Sequence, residues 1–172
     1  MNAGVDGNRL LRTYGSEAAL TRFDRDVLSV ADARWVVVLL GTNDIIDGGP
    51  NLGAFFGGPF PVTTQDLIFA HRQLITRAHA RGLKIFGATV TPYEGGLSGM
   101  AYYPEGETMR TQLNEWIRNG GEYDGVIDFD AAVRDPAAPT KLLADYASSD
   151  LLHPNDAGYR AMADAIDLTL FR

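Results

Sequence analysis

The sequence has no cysteine, so neither a disulfide nor a thiolate metal site is open to it. It has no long apolar run either. The densest, Trp35 to Leu40, falls far short of the roughly 20 residues that a membrane-spanning helix needs. Positive charge is in deficit, with 15 Lys and Arg against 22 Asp and Glu and a net charge of −7. The basic residues are also scattered, which excludes a general nucleic-acid binder, since phosphate neutralisation needs clustered Lys and Arg. Met1-Asn2-Ala3-Gly4 lacks the basic and apolar regions of a signal peptide, and the compartment is left open. With three histidines and five serines, a catalytic site has few candidates to draw on.

What is present suits one globular domain over residues 1–172, because 45% of the residues are apolar and 22% charged, too apolar for disorder. Helical and short apolar segments alternate. Residues 16 to 30 carry Leu20, Phe23, Val27 and Leu28 at helical spacing behind Ser16 as the expected cap. Trp35 to Leu40 is continuous, β-branched and short, which predicts a strand buried on both faces. A Gly- and Pro-rich loop over Gly48 to Pro61 follows, with Phe55, Phe56 and Phe60 offering an apolar lid, an acyl-binding wall or ordinary loop packing. Thr63 or Thr64 caps a helix reaching Gly82, with Leu67, His71, Leu74 and Ala78 in one stripe. Lys84 to Val90 predicts a second strand, Tyr93 to Tyr103 a loop, and Pro104 to Asn119 a helix with Met109, Leu113, Trp116 and Ile117 inward. Gly125 to Phe129 predicts a third strand, and Asn155-Asp156 opens a last helix carrying Tyr159, Met162, Ala163 and Ile166. Such alternation implies βαβ units and a parallel sheet.

In open α/β sheets ligands bind beyond the carboxyl ends of the strands. Gly41-Thr42-Asn43-Asp44 and Thr91-Pro92-Tyr93 fall there, and Asp150-Leu151-Leu152-His153-Pro154-Asn155 precedes the last helix. An aspartate three residues before a histidine can set its carboxylate against Nδ1, which fixes the tautomer of a general base. An asparagine amide at a strand end can donate to a developing oxyanion. Taken singly, Gly41-Thr42-Asn43-Asp44 is also an ordinary turn sequence, and His153 also suits a capping or surface role. His71 and His79, among Arg72, Arg77 and Arg81, read as surface or half-buried helix residues, and no phosphate-binding Gly-rich loop opens a helix.

Together these segments resemble the SGNH (GDSL-type) hydrolases. Asn2 to Leu11 is similar to that family's second block, Gly41-Thr42-Asn43-Asp44 to its third, and Asp150-x-x-His153-Pro154-Asn155 to its fifth, in the family's order. The resemblance implies a flavodoxin-like three-layer α/β/α domain that lacks the family's first strand and most of its second. It also implies Gly7 and Asn43 as oxyanion donors, His153 as base and Asp150 as the residue orienting it. The family's first block, a Gly-Asp-Ser motif with the nucleophile, has no counterpart here. The nucleophile is thus unknown, with Ser98 in the Gly-rich loop as the substitute candidate; Ser16, Ser29, Ser148 and Ser149 are the others.

The implied function is carboxylester hydrolysis, weak, through a substitute serine, or dependent on assembly, with no cofactor and no metal. Two alternatives stand beside it: a truncated, non-catalytic domain that only binds ester or carbohydrate ligands, and a flavodoxin-like binding module whose matching residues only make turns. A missing first strand would leave Trp35 to Leu40 as an unpaired apolar edge, so a homo-oligomer formed through it is expected.

Overall fold

The computed structural model of the chain describes residues 1–55 and 59–172. Three parallel strands, β1 (Trp35–Val38), β2 (Lys84–Ala88) and β3 (Gly125–Ile127), lie side by side in that order. Trp35 pairs with Lys84 and Val38 with Gly87 across the first ladder, and Phe86 pairs with Gly125 and Ala88 with Ile127 across the second. Before β1 comes α1 (Ala19–Phe23), continued by a π-turn over Asp24–Leu28. Between β1 and β2 run α2 (Thr42–Gly48), α3 (Leu52–Phe55) and α4 (Thr64–Ala80), and α5 (Pro104–Asn119) joins β2 to β3. Beyond β3 are α6 (Phe129–Val133), an antiparallel hairpin of β4 (Arg134–Asp135) and β5 (Ala138–Leu142), a 3-10 turn at Ala144–Tyr146, α7 (Asp156–Asp164) and a second 3-10 turn at Leu168–Phe171.

The two long helices start where local chemistry tells them to. Thr63 and Asp66 form a reciprocal capping box at α4, each satisfying a backbone N–H of the other, and Pro104 opens α5 with the fixed φ that a first helical turn needs. Their apolar stripes pack with Leu10, Phe23, Val36, Val38, Ile85 and Val90 into one core. Phe86, Ala88 and Ile127 point the other way, into a second core with Phe129, Val133, Leu142 and Met162. The strands therefore form the middle of three layers, α/β/α, as expected for a parallel sheet. No helix among the described residues is long and apolar enough to cross a membrane.

Several expectations need correction. Ser16 caps no helix. Its hydroxyl accepts from Asn8 Nδ2, and α1 starts three residues later behind Ala18, whose N–H is bound by Thr13 Oγ1. Residues 42–44, which also suit a turn, begin helix α2, and α3 lies inside the stretch expected as loop. The β4–β5 hairpin has no clear alternation in its sequence and was not foreseen. His71 is fully buried rather than half-exposed, with Nδ1 bonded to the Tyr123 hydroxyl and its ring set against Trp116 at 5.9 Å. On α7, Met162 is buried but Tyr159 and Ala163 face solvent.

Strand β1 is covered on one face only. Val36 and Val38 are buried, whereas Val37 is 44% and Leu39 40% exposed. The second core reaches β1 only at Trp35, whose ring meets Phe171 at 6.0 Å. β1 is also the end strand of the described sheet, so an unpaired backbone edge and an open apolar face coincide.

Candidate active site

Asp150 and His153 sit in the loop between the Ala144–Tyr146 turn and α7, and that loop is closed at its base. Asn155, the N-cap of α7, accepts from the Ala157 and Gly158 N–H groups at 2.9 and 3.0 Å, and its Nδ2 donates to the Asp145 and Ala147 carbonyls at 3.0 Å. The Ser148 N–H donates to the His153 carbonyl at 2.9 Å, and Leu151 at the tip takes a left-handed φ of 56°. That conformation is uncommon for a side chain with a Cβ and is sustained by the surrounding bonds.

Four donors converge on the Asp150 carboxylate. Oδ1 accepts the His153 and Leu152 N–H groups at 2.9 Å and the Ser148 hydroxyl at 2.5 Å, and Oδ2 faces His153 Nδ1 at 2.7 Å. The His153 N–H, then the Ser148 hydroxyl and the His153 ring, hold the Asp150 pKa well below the usual carboxylate range. An ionised carboxylate can only accept, so Nδ1 carries the proton, and in the neutral tautomer the lone pair falls on Nε2. The loop thus presents an imidazole with its basic nitrogen free of Asp150, on a side chain 56% exposed.

The second part of the site lies at the carboxyl end of β1. The chain leaves the strand through Gly41 at φ 120°, a conformation that a residue with a Cβ rarely adopts, and this turns it directly into α2. Asn43 lies in the first turn of that helix, and its Nδ2 donates to the Asn8 carbonyl at 3.1 Å. Gly7 sits at a turn just before Asn8, with φ 63°. Gly7, Asn43 and His153 line one groove of about 1010 Å³, together with Tyr159 and the open face of β1.

No serine among the described residues faces His153 as a nucleophile would. Ser98 and Ser149 line a separate hollow of about 350 Å³ with Leu97, Met100, Asp150 and Leu151. The Ser148 hydroxyl is used on Asp150, and the Ser29 hydroxyl donates to the Arg25 carbonyl. Among the described residues no serine hydroxyl is hydrogen-bonded to His153. Tyr93, expected at the ligand-facing end of β2, is fully buried instead. Of the loop phenylalanines, Phe56 and the Phe55 side chain lie outside the described residues, and Phe60 carries the Arg12 guanidinium stacked on its ring. Sequence reasoning passed over Arg9, Asp44 and Asp47, three buried charged residues beside the groove. Their signal was the acidic spacing at residues 44 and 47 behind a glycine, which reads equally as a turn.

A parallel α/β sheet with an Asp–His pair before the last helix and an asparagine at a strand's carboxyl end places the chain among α/β proteins of the SGNH-hydrolase type. Residues 1–161 match the GDSL-like Lipase/Acylhydrolase family, and the chain belongs to that family. Among solved structures, a GDSL-like lipase from Bacteroides thetaiotaomicron is similar at 20% identity and a TM-score of 0.67, over 88% of this chain and 68% of that one. A catalytic mutant of an acetylxylan esterase from Geobacillus stearothermophilus is similar at 20% identity and a TM-score of 0.67, over 95% of this chain and 68% of its own. No curated protein sequence matches the chain.

Proposed function

We propose that the chain serves carboxylester hydrolysis by acyl transfer, with His153 as general base, Asp150 as the residue that orients it, and Asn43 and Gly7 as oxyanion donors. The observation that carries this reading is the 2.7 Å contact between Asp150 and His153 Nδ1, on a histidine that shares one groove with Asn43 and Gly7. In the reaction a serine oxygen attacks the ester carbonyl carbon while its proton passes to Nε2. The alkoxide leaves with that proton, and water, deprotonated in turn by His153, releases the acid and restores the serine. The negative oxygen of each tetrahedral intermediate is held by the Asn43 amide and the Gly7 N–H. The serine is a substitute from this chain or is supplied on assembly. The substrate class we favour is an acetylated carbohydrate, given the similarity to an acetylxylan esterase. Self-association through β1 belongs to the same reading and is supported by the exposed Val37 and Leu39 on an end strand.

The test is hydrolysis of p-nitrophenyl acetate by the full chain and by His153→Ala, with fluorophosphonate labelling and peptide mapping to locate any nucleophile. Turnover lost in His153→Ala, with a label on one serine, supports the reading. No turnover and no label leaves the second one, a domain that only binds ester or carbohydrate ligands. That alternative is favoured by the lack of a hydrogen bond between any described serine hydroxyl and His153.

A further inference from the structure

The segment from Gly7 to Leu11 lies in no helix and no strand, yet Asn8, Arg9 and Leu10 are all buried. Something other than secondary structure must hold it: α1 does so through the Ala19 N–H on the Arg9 carbonyl and Arg22 on Asn8 Oδ1, both at 2.7 Å, and α2 through three side chains. Asp44, 3% exposed, accepts the Leu10 N–H on Oδ2 at 2.8 Å and the Leu11 N–H on Oδ1 at 3.0 Å. One turn on, Asp47 pairs with Arg9 Nε, and the Arg9 guanidinium donates to the Gly7 carbonyl at 3.0 Å and the Tyr14 carbonyl at 3.1 Å. Asn43 completes the set with its bond to the Asn8 carbonyl. The two groups that would face a substrate oxyanion come from chain segments 7 and 43, and this clamp is what joins them.

We propose that Asp44 is a positioning residue: its carboxylate, by binding two successive backbone N–H groups, sets Gly7 and Asn43 at a fixed separation and so builds the anion-holding side of the groove. The proposal rests on the reading of Gly7 and Asn43 as oxyanion donors and goes beyond it by naming what holds them. A carboxylate suits the task because each oxygen can accept one N–H, whereas a protonated carboxyl turns one oxygen into a donor and leaves one N–H without its acceptor. Burial pushes the Asp44 pKa up to about 6, opposed by the Leu10 and Leu11 N–H bonds and by the charge of Arg9. The other titratable side chain on α2 is Asp47, already paired with Arg9, and the Ile45 carbonyl accepts from the Tyr103 hydroxyl just before α5. The two-donor arrangement is therefore set above pH 6 and loosened below it.

The test is ¹H–¹⁵N NMR of the full chain between about pH 4.5 and 8, on wild type and Asp44→Asn, following the Gly7, Leu10 and Leu11 amides and the Asn43 side-chain amide. All four signals should share one transition with a midpoint near pH 6, and that transition should vanish in Asp44→Asn. If Leu10 and Leu11 move while Gly7 and Asn43 stay still, if the common transition is absent, or if it survives in Asp44→Asn, the proposal is overturned. Should the variant not fold, the wild-type titration still decides. A parallel ester assay separates this from the functional reading. Turnover that needs His153 without a shared transition sinks the positioning role alone; a shared transition without turnover sinks the esterase reading alone.

Discussion

Replacing His71 by glutamine should reverse the direction in which stability changes as the protein is acidified from pH 7 to pH 5. His71 is fully buried, and burial pushes its pKa from 6.5 down to about 4. The unfolded chain therefore takes up the proton first, so the stability due to this residue is complete above 6.5 and drains away as pH falls towards 4. Between pH 7 and 5 the loss is about 2 kcal/mol, at about 1.4 kcal/mol per pKa unit. Asp44 acts with the opposite sign. Its folded pKa of about 6 stands above the ordinary 3.8, so the folded state binds the proton first and gains about 1 kcal/mol over the same interval. Wild type should then lose about 0.5 kcal/mol, His71→Gln gain about 1, and Asp44→Asn lose about 2. Urea unfolding at the two pH values, followed by tryptophan fluorescence, measures each difference, and Trp116 lies against the His71 ring. The change between pH values is the readout, so any packing cost of glutamine cancels. A His71→Gln protein that lost as much stability on acidification as wild type would refute the reasoning.

Three further outcomes are expected. Gly87→Ala should cost on the order of 1–3 kcal/mol in urea unfolding, because its Cβ would lie 2.5 Å from the Tyr123 ring on a central strand. Arg110→Ala should cost about 1.5–3 kcal/mol by the same measurement, since Asp130 keeps Arg118 and Arg134 as partners. It would strip the buried Asp130 carboxylate of a partner at 2.7 Å and the Val90 carbonyl of one at 2.9 Å. Val37→Lys combined with Leu39→Lys should weaken self-association by about tenfold or more in sedimentation velocity, since two charges would enter the open face of the end strand. Wild type that stayed monomeric at high concentration would count against that last expectation.

The sequence made the long helices legible because their signals are local. Pro104 and the Gly120-Gly121 pair bound α5 at the residues where the structure has it, and Thr63 with Asp66 states the start of α4. The Asp150–His153 contact was legible for the same reason, being three residues long. Features that depend on distant partners were not. Helix α2 needs Gly41 in an unusual conformation and carboxylates that bind residues some 35 positions away, so residues 41–44 suited a turn as well as a site. The burial of His71 had a signal, since it falls in the stripe of Leu67, Leu74 and Ala78, but its partner Tyr123 lies 52 residues on. The strand at Trp35 looked buried on both faces because a run of valines and leucines carries no alternation, and what covers each face is decided by other elements.

The closure of the 144–158 loop by Asn155 divides the groove by the distance over which its order must propagate. The proposed base is assembled mostly within a dozen residues, with one outside tie from the Leu97 N–H to the Asp150 carbonyl, so its geometry should outlast partial opening of the sheet. The proposed anion-holding side spans residues 7 to 47 and depends on α2 and the leading segment staying docked. Lost packing would therefore remove the two halves in sequence. The chain would first become a protein with an oriented imidazole and nothing to hold negative charge beside it. Evolution could in the same way exchange one half of this groove while leaving the other intact.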